Sequence, residues 1–332
     1  MKSGVRHQRR NKGSVALVSE PAEQRQDDKK REHGRRRWRD GLVGYLFISP
    51  SIIGFSIFVV YPLITSAYYS LTRWDGNTDP VFVGFKNYVY MFTKDPSFLP
   101  SLKATALFAV LSVPSSLLLG LLLAVLLNRN LPGIKLFRTA LYLPAVLPSI
   151  ATLTLWKFIY NPQFGLANQV LSFLHLPTSD WLSSESMALP AIVIIGLWGV
   201  GGTMIIFLAG LQAVPQELYE AARLDGAGQI GLFARITLPV ISPIILLQLI
   251  LQIIAALQAF NQPAVLTSGG PGFSTMLLML SIYNNGFGQL GHYPQLGYAV
   301  AQVWVLFLMI LAITFFTFRA SSIWVYEESA VD

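Results

Sequence analysis

Residues 104–127 read ATALFAVLSVPSSLLLGLLLAVLL, twenty-four residues without a charged side chain, between Lys103 and Arg129. A helix of about 20 apolar residues crosses the roughly 30 Å hydrocarbon core of a bilayer. A helix that is apolar on every side is buried either in a large protein core or in lipid. The composition of the whole chain decides between these two environments.

The composition is that of a membrane protein. Of the 332 residues, 53% are hydrophobic and only 12% are charged, about half the usual share of charged residues in a globular domain. The mean hydropathy is +0.52. A soluble domain of this size needs more charge to cover its surface, so the predicted fold class is all-α, a polytopic membrane protein. Cysteine is absent, which excludes disulfides and thiolate metal sites.

Five further stretches share this apolar character, which makes six predicted spans. They cover residues 42–67, 139–160, 188–214, 239–260 and 297–318. A shorter apolar stretch, residues 276–283, cannot cross a bilayer, and it predicts a re-entrant or interfacial helix or an extension of a neighbour. Prolines inside the first three spans predict kinks, because each removes a backbone donor; they are Pro50, Pro62, Pro114, Pro144 and Pro148.

Charge is distributed very unevenly. Residues 1–40 carry 13 Lys/Arg and six Asp/Glu, and so hold the whole net charge of +7. A basic tail can bind nucleic acid or anionic lipid, but Lys/Arg asymmetry also sets membrane orientation. With six spans, the tail, the loop 129–138 and the C-terminus share one side. This side is predicted to be cytoplasmic, with residues 1–40 a disordered basic tail and residues 41–325 the membrane domain.

The predicted spans lack the groups that drive transport. None has an ionisable residue near its middle, and residues 236–318 contain no Asp, Glu, Lys or Arg. Proton-coupled transporters carry such groups as relays. The chain also has no G-x-x-x-x-G-K-[ST] phosphate loop, so it does not hold ATP by that route. The pattern indicates a transporter that is passive or is driven by a partner, and no His/Asp/Glu cluster indicates a membrane enzyme.

The longest loop on the predicted cytoplasmic side lies between the fourth and fifth spans. Residues 215–239 read PQELYEAARLDGAGQIGLFARITLP. Pro215 and Glu217 suit the first turn of a helix, and Gly226 suits its end. A second short helix is predicted over residues 229–236. We expect this helix–turn–helix to find little to pack against in its own bundle. It is predicted to dock into a groove of a partner protein or to lie in the lipid interface.

The run EAARLDGA at 220–227, followed by ITLP at 236–239, resembles the EAA loop of binding-protein-dependent ABC importer permeases. LTSGGP at 266–271 and GYA at 297–299 resemble segments of the sugar permeases of the maltose and glycerol-phosphate type. The resemblance covers about residues 40–325 and implies a six-helix type I importer permease fold. It implies a coupling loop formed by Glu220, Ala221, Ala222, Asp225, Gly226, Ile236, Leu238 and Pro239.

The resemblance also implies partners and a location. The chain would pair with a second homologous permease subunit above two ABC ATPase subunits, which hold ATP and Mg²⁺. An extracytoplasmic binding protein would deliver a sugar-like solute to the outer loops, residues 74–100 and 261–295. This chain itself would hold no cofactor and no metal, catalyse no reaction and bind no nucleic acid. It would lie among the lipids of a bacterial cytoplasmic membrane.

Polar residues of the fourth and fifth spans are the candidate solute contacts that the resemblance implies. Amide and indole donors suit sugar hydroxyls, although polar residues in spans often only bond neighbouring helices. Two segments depart from the family pattern: Trp198-Gly199-Val200-Gly201-Gly202 lacks an aromatic–Pro pair, and Asn261-Gln262-Pro263 lacks an acidic residue. The candidates are Trp198, Gly199, Gln248, Gln252, Gln258 and Asn261.

A secondary transporter or channel that needs no ATPase remains the alternative, and a membrane enzyme is a third class. The loop discriminates between these classes. Only an importer driven by a partner ATPase needs residues 215–239 for transport.

Overall fold

Apolar helices make up most of the chain that the structure describes. The computed structural model describes residues 45–129, 131–288 and 294–325. The predicted tail, residues 1–40, lies outside the described residues. The chain divides into two compact units after Ile64. Helix α1 (Tyr45–Ser70) contains every described residue of the first unit and a π-helical turn, Ser56–Val60.

The second unit is almost entirely helical. A two-stranded antiparallel hairpin follows α1, with Thr72 opposite Phe82. The elements in chain order are β1 (Thr72–Arg73), β2 (Val81–Phe82), α2 (Lys86–Thr93), α3 (Phe98–Leu127), α4 (Ile134–Val146), α5 (Ser149–Ile159), α6 (Leu166–Phe173), α7 (Ala188–Trp198), α8 (Gly201–Ala213), α9 (Gln216–Leu224), α10 (Gln229–Val240), α11 (Ser242–Leu257), α12 (Asn261–Leu266), α13 (Leu278–Phe287) and α14 (Leu296–Ser321).

The described residues contain four segments long and apolar enough to cross a bilayer. They are α1, α3, α14 and the segment Ser242–Leu266, which comprises α11 and α12. Two helix pairs pass the same criteria but are bent, α4 with α5 by 96° and α7 with α8 by 49°. If each bent pair is one span, the total is the predicted six. The prediction of an all-α polytopic membrane protein is confirmed.

Proline explains the first bend, and a glycine that packs against α4 lies next to the second. Leu147 precedes Pro148, and a residue before proline avoids the helical conformation. Leu147 accordingly has φ −68° and ψ 147°, and α4 ends before it. In the second pair, a Cβ on Gly201 would collide with the carbonyl oxygen of Leu141 in α4. Glycine at the start of α8 therefore allows the two backbones to approach closely.

Several predicted boundaries differ from the structure by a few residues. The fifth span begins at Ser242 and not at Pro239, because Ile241, at φ −87° and ψ 0°, interrupts the helix and Pro243 occupies the first turn of α11. The second begins at Phe98, before the apolar window. The short stretch 276–283 forms most of α13, a separate helix of ten residues.

Helix α3 holds the second unit together. Its side chains enter three clusters of buried apolar residues along its length. Phe108 packs with residues of α5, α7 and α11, and Phe98 packs with residues of α13 and α14. Near its C-terminal end, Ala124 and Leu127 pack with residues of α8. After Lys103, the exposed side chains of α3 are apolar, for example Leu118, as a lipid-facing helix requires.

Candidate functional site

Helix α9 begins and ends as its sequence predicts. Pro215 precedes its first residue, and Glu217 lies in the first turn. At the other end Gly226 has φ +83°, in the left-handed region. The Ala227 N–H donates to the Ala222 carbonyl at 2.9 Å, and the Gly226 N–H donates to the Arg223 carbonyl at 3.0 Å. These two bonds form a Schellman cap, so the chain reverses sharply at Gly226.

Exposed apolar side chains flank this turn. Leu224 is 90% exposed and Ile230 is 86% exposed. Glu220, Ala221 and Asp225 are exposed as well, while Ala222 is half-buried. Large apolar side chains that no part of their own unit covers are typical of a surface that meets another molecule. We name Leu224 and Ile230, with the turn at Gly226 between them, the coupling surface.

The other side of the loop packs firmly against the bundle. The Tyr219 hydroxyl and the Thr237 hydroxyl lie 2.9 Å apart and share a hydrogen bond that ties α9 to α10. Leu232 is buried, and Ile236 packs against the cluster that contains Phe207 of α8. The expectation that the loop has little to pack against in its own bundle was therefore wrong. The loop is amphipathic, and only its outward side lacks partners within the described residues.

The later residues of the EAA pattern divide between the packed side and the surface. Pro239 is half-buried, and Leu238 is exposed. Both lie in the last turn of α10, just before α11. Ile236 therefore anchors the loop to the helices. Leu238 is exposed, as are Glu220, Ala221 and Asp225.

An open cavity of about 430 Å³, which we call the central cavity, lies where three helical segments are interrupted. The break between α4 and α5 contributes Leu147 and Ser149, and the break between α7 and α8 contributes Trp198 and Gly199. The segment between α11 and α12 adds a further group, Gln258 to Gln262. Interrupted helices at membrane depth are tolerated where their backbone lines a cavity or is buried in protein.

Three polar side chains in the lining of the cavity make no hydrogen bond to another described residue. Gln258, Asn261 and Gln262 all line it, and none of their side-chain amides bonds to another described residue. Trp198 lines the same cavity, with its ring held edge-to-face against Trp156 at a centroid distance of 5.7 Å. Every residue in the lining is uncharged. The arrangement suits a neutral ligand with several hydroxyl groups.

The structure separates the six candidate solute contacts into three groups. Trp198, Gly199, Gln258 and Asn261 line the central cavity. Gln252 lines a smaller neighbouring cavity, and its Nε2 donates to Thr203 Oγ1 at 2.7 Å. Gln248 is 4% exposed and lines neither cavity.

Several residues that line the cavities were not predicted from the sequence. Gln262 and Thr152 line the central cavity, and Ser112 and Ser116 line the smaller one. The spacing of the two serines, four residues apart on one helix, is the signal that could have identified them, because it places both on one face.

The hairpin of β1 and β2 carries a carboxylate with a fixed geometry. Asp75 Oδ1 accepts bonds from the backbone N–H and the hydroxyl of Thr78, at 2.9 and 2.8 Å, and from the Asn77 N–H at 3.0 Å. The bonds from Thr78, and next that from Asn77, lower the pKa of Asp75 from 3.8 to about 2. The carboxylate is exposed and therefore stays negative at any physiological pH.

The described residues include no group of His, Asp or Glu that could hold a metal ion.

Residues 116–323 match the model of the family described as "Binding-protein-dependent transport system inner membrane component". The chain belongs to this family. The permease is 37% identical over 295 residues to the probable ABC transporter permease protein YesP of Bacillus subtilis, covering 88% of this chain and 94% of the relative. It is 36% identical to the trehalose/maltose transport system permease protein MalF of Thermococcus litoralis, covering 84% and 93% of the two chains.

A solved structure supports the same assignment. The permease matches a chain of a bacterial ABC transporter involved in the import of the acidic polysaccharide alginate, with a TM-score of 0.74 and 25% identity. The match covers 86% of this chain and 98% of the other. The permease is thus a multi-pass inner-membrane component of a binding-protein-dependent transport system, and its relatives are named as transport permeases. The predicted resemblance is confirmed.

Proposed function

We propose that this chain is a solute-conducting permease subunit of an ATP-driven importer for a neutral, hydroxylated sugar. The observation that carries the proposal is the lining of the central cavity. It contains one indole and three side-chain amides that make no hydrogen bond to another described residue, and every lining residue is uncharged. Side-chain amides can both donate to and accept from a sugar hydroxyl. An aromatic face suits the apolar side of a sugar ring.

The relatives support a carbohydrate as the solute. Besides the trehalose/maltose permease, they include the diacetylchitobiose uptake system permease protein NgcF of Streptomyces coelicolor, 35% identical. The multiple sugar-binding transport system permease protein MsmF of Streptococcus mutans is 34% identical. The related alginate transporter imports an acidic polysaccharide, whereas the uncharged cavity of this permease favours a neutral sugar.

The coupling loop supplies the route from ATP to the cavity. We place ATP and Mg²⁺ on two partner ATPase subunits, which receive the coupling surface, Leu224 and Ile230, in a groove. Tyr219, Leu232 and Ile236 tie the loop to the bundle, so a push on α9 moves α8 and α11 with it. Trp198 and Gly199 lie at the break between α7 and α8, at the end of α8 that is farther along the chain from the loop, so this movement reaches the cavity.

The remaining partners follow from the same arrangement. A second, homologous permease completes the pore, and both termini lie in the cytoplasm, as the Lys/Arg asymmetry favours. An extracytoplasmic binding protein delivers the sugar to the outer loops, residues 74–100 and 261–295. The related alginate transporter has been solved in complex with an oligosaccharide-bound periplasmic protein, at a TM-score of 0.72.

The solute cavity is tested by two matched glutamine variants. The assay is ATP-dependent uptake of radiolabelled trehalose, maltose and diacetylchitobiose by proteoliposomes that contain the complete complex. Gln258→Leu removes a cavity amide and is expected to lower uptake about five- to tenfold, roughly the value of one neutral hydrogen bond. Gln248→Leu, which changes a buried amide outside both cavities, is expected to retain uptake. Equal uptake by the two variants would contradict a solute path through this cavity.

A further inference from the structure

The short helix α6 has an apolar face that the described part of the chain leaves uncovered. Leu166, Val170 and Phe173 follow one another at spacings of four and three, which places them on one side of the helix. All three side chains are exposed, and Phe173 is 82% exposed. Three flanking apolar side chains are exposed as well, those of Phe164, Leu174 and Leu176. An exposed apolar surface of this kind meets lipid or another protein.

The opposite side of α6 is fixed by Asn168. Its Nδ2 donates to the carbonyls of Pro162 and Ser179, at 3.0 and 2.9 Å. Its Oδ1 accepts from the Trp181 indole N–H at 2.8 Å and from the Ser179 N–H at 3.2 Å. Asn168 is buried, so these four bonds determine which side of α6 faces the protein. The apolar side then faces away from it.

The first turn of α6 lies against the end of α5. Asn161 Oδ1 accepts from the backbone N–H groups of Gln163 and Phe164, at 2.9 and 3.1 Å, so the chain turns directly after α5. A Cβ on Gly165 would lie 2.4 Å from the carbonyl oxygen of Ile159, the last residue of α5. Helix α5 belongs to a bent pair that is apolar and long enough to cross a bilayer. Helix α6 therefore begins beside the end of an apolar segment at membrane depth.

An aromatic pair lies at the same place. Trp181 stacks on Tyr160, the residue after α5, with the ring centroids 4.6 Å apart and the ring planes at 3°. Trp and Tyr are enriched at the boundary between hydrocarbon and water, because their rings are apolar and carry one polar group. The end of α5, the aromatic pair and α6 are therefore typical of this boundary.

The charges near α6 suit lipid headgroups. Residues 139–179 contain one lysine, Lys157, and no Asp or Glu. Lys157 is exposed in the last turn of α5. A lysine near the end of a membrane helix extends its ammonium group toward the headgroups. No carboxylate of this stretch repels the lipid phosphates.

We propose that α6 is an interfacial helix whose apolar face lies in the headgroup region of the bilayer, with Leu166, Val170 and Phe173 in contact with lipid. Such a helix buries its apolar face about 5–10 Å into the boundary between headgroups and acyl chains. It fixes the depth of α5, which contributes Ser149 to the central cavity. In the orientation proposed above this is the outer leaflet, and only the choice of leaflet rests on the proposed function.

The position of α6 is tested by fluorescence quenching from lipid and from water. The chain contains no cysteine, so one introduced cysteine gives a single labelling site on it, and the wild-type complex measures labelling of the partner subunits. Val170→Cys and Phe173→Cys place a bimane label on the apolar face. Ser172→Cys is the matched control, because Ser172 is exposed on the polar side of the same helix. Each complete complex is labelled in mild detergent and then reconstituted into bilayers.

Quenching by nitroxide-labelled lipid is compared with quenching by iodide in water. Relative to iodide, the nitroxide lipid is expected to quench the labels at residues 170 and 173 severalfold more than the label at residue 172, because only the apolar face contacts acyl chains. Equal ratios at the three positions, or stronger iodide quenching on the apolar face, would overturn the proposal.

A protein on this face would give a different result. If the second permease covers it, the labels at residues 170 and 173 are protected from both quenchers in the complete complex. If the extracytoplasmic binding protein covers it, iodide quenches these labels until that protein is added. Either result would contradict contact with lipid. None of these measurements uses a sugar, so they give the same answer if the sugar assignment fails.

Discussion

At the residue scale, two positions show how a single residue fixes the backbone conformation of the loop and of the cavity wall. Gly226 lies at φ +83° and closes the helix cap that reverses the chain. Leu147 adopts an extended conformation because Pro148 follows it, and this opens the wall of the central cavity. Both effects are local, and both follow from the chemistry of glycine and proline.

Gly226→Val should disrupt the coupling of ATP hydrolysis to uptake without lowering the amount of permease in the membrane. A β-branched residue at positive φ is strained by about 1–2 kcal/mol or more, so the turn between Leu224 and Ile230 would change shape. Uptake should fall about tenfold or more, measured against protein level in the membrane. Gly228→Ala is the matched control, because φ at Gly228 is −75° and an added Cβ meets nothing within 4 Å. Similar losses in both variants would contradict the role of the turn.

At the scale of elements, the EAA loop has one side that packs against the bundle and one side that is exposed. The side formed by Tyr219, Leu232 and Ile236 packs into the bundle, and the side formed by Leu224 and Ile230 stays exposed. The sequence predicted the helix, its start and its glycine stop, because those signals are local. It did not predict the packed side, because that depends on which residues of α8 the folded chain brings near.

The exposed side should be essential for assembly with the ATPase subunits. Leu224→Asp and Ile230→Asp introduce a carboxylate where we propose an apolar groove to close, and an unpaired buried charge is costly. Co-purification of the ATPase subunits in mild detergent is expected to be lost in both variants.

Phe273→Asp is the control for this experiment. It changes an exposed aromatic residue outside the loop and is expected to retain the ATPase subunits. Retention of the subunits by Leu224→Asp and Ile230→Asp would show that the coupling surface faces something else.

At the scale of the whole molecule, the number of apolar segments could be predicted because hydropathy and length act along the chain. The sharp bend of 96° between α4 and α5 was expected only as a proline kink. The positions of Gln258 and Gln248 could not be separated, because both are amides on the same predicted span. Only the folded bundle shows that one lines the cavity and the other is buried elsewhere.

The most direct test of the account measures sugar uptake and ATP hydrolysis together in proteoliposomes that contain the complete complex and its sugar-loaded binding protein. The account predicts that the sugar-loaded binding protein raises both the rate of uptake and the rate of ATP hydrolysis in the wild-type complex. In Leu224→Asp, both the stimulated hydrolysis and the uptake are expected to disappear. Normal uptake by Leu224→Asp, or by the wild-type permease without ATP, would contradict it and indicate a secondary transporter or channel.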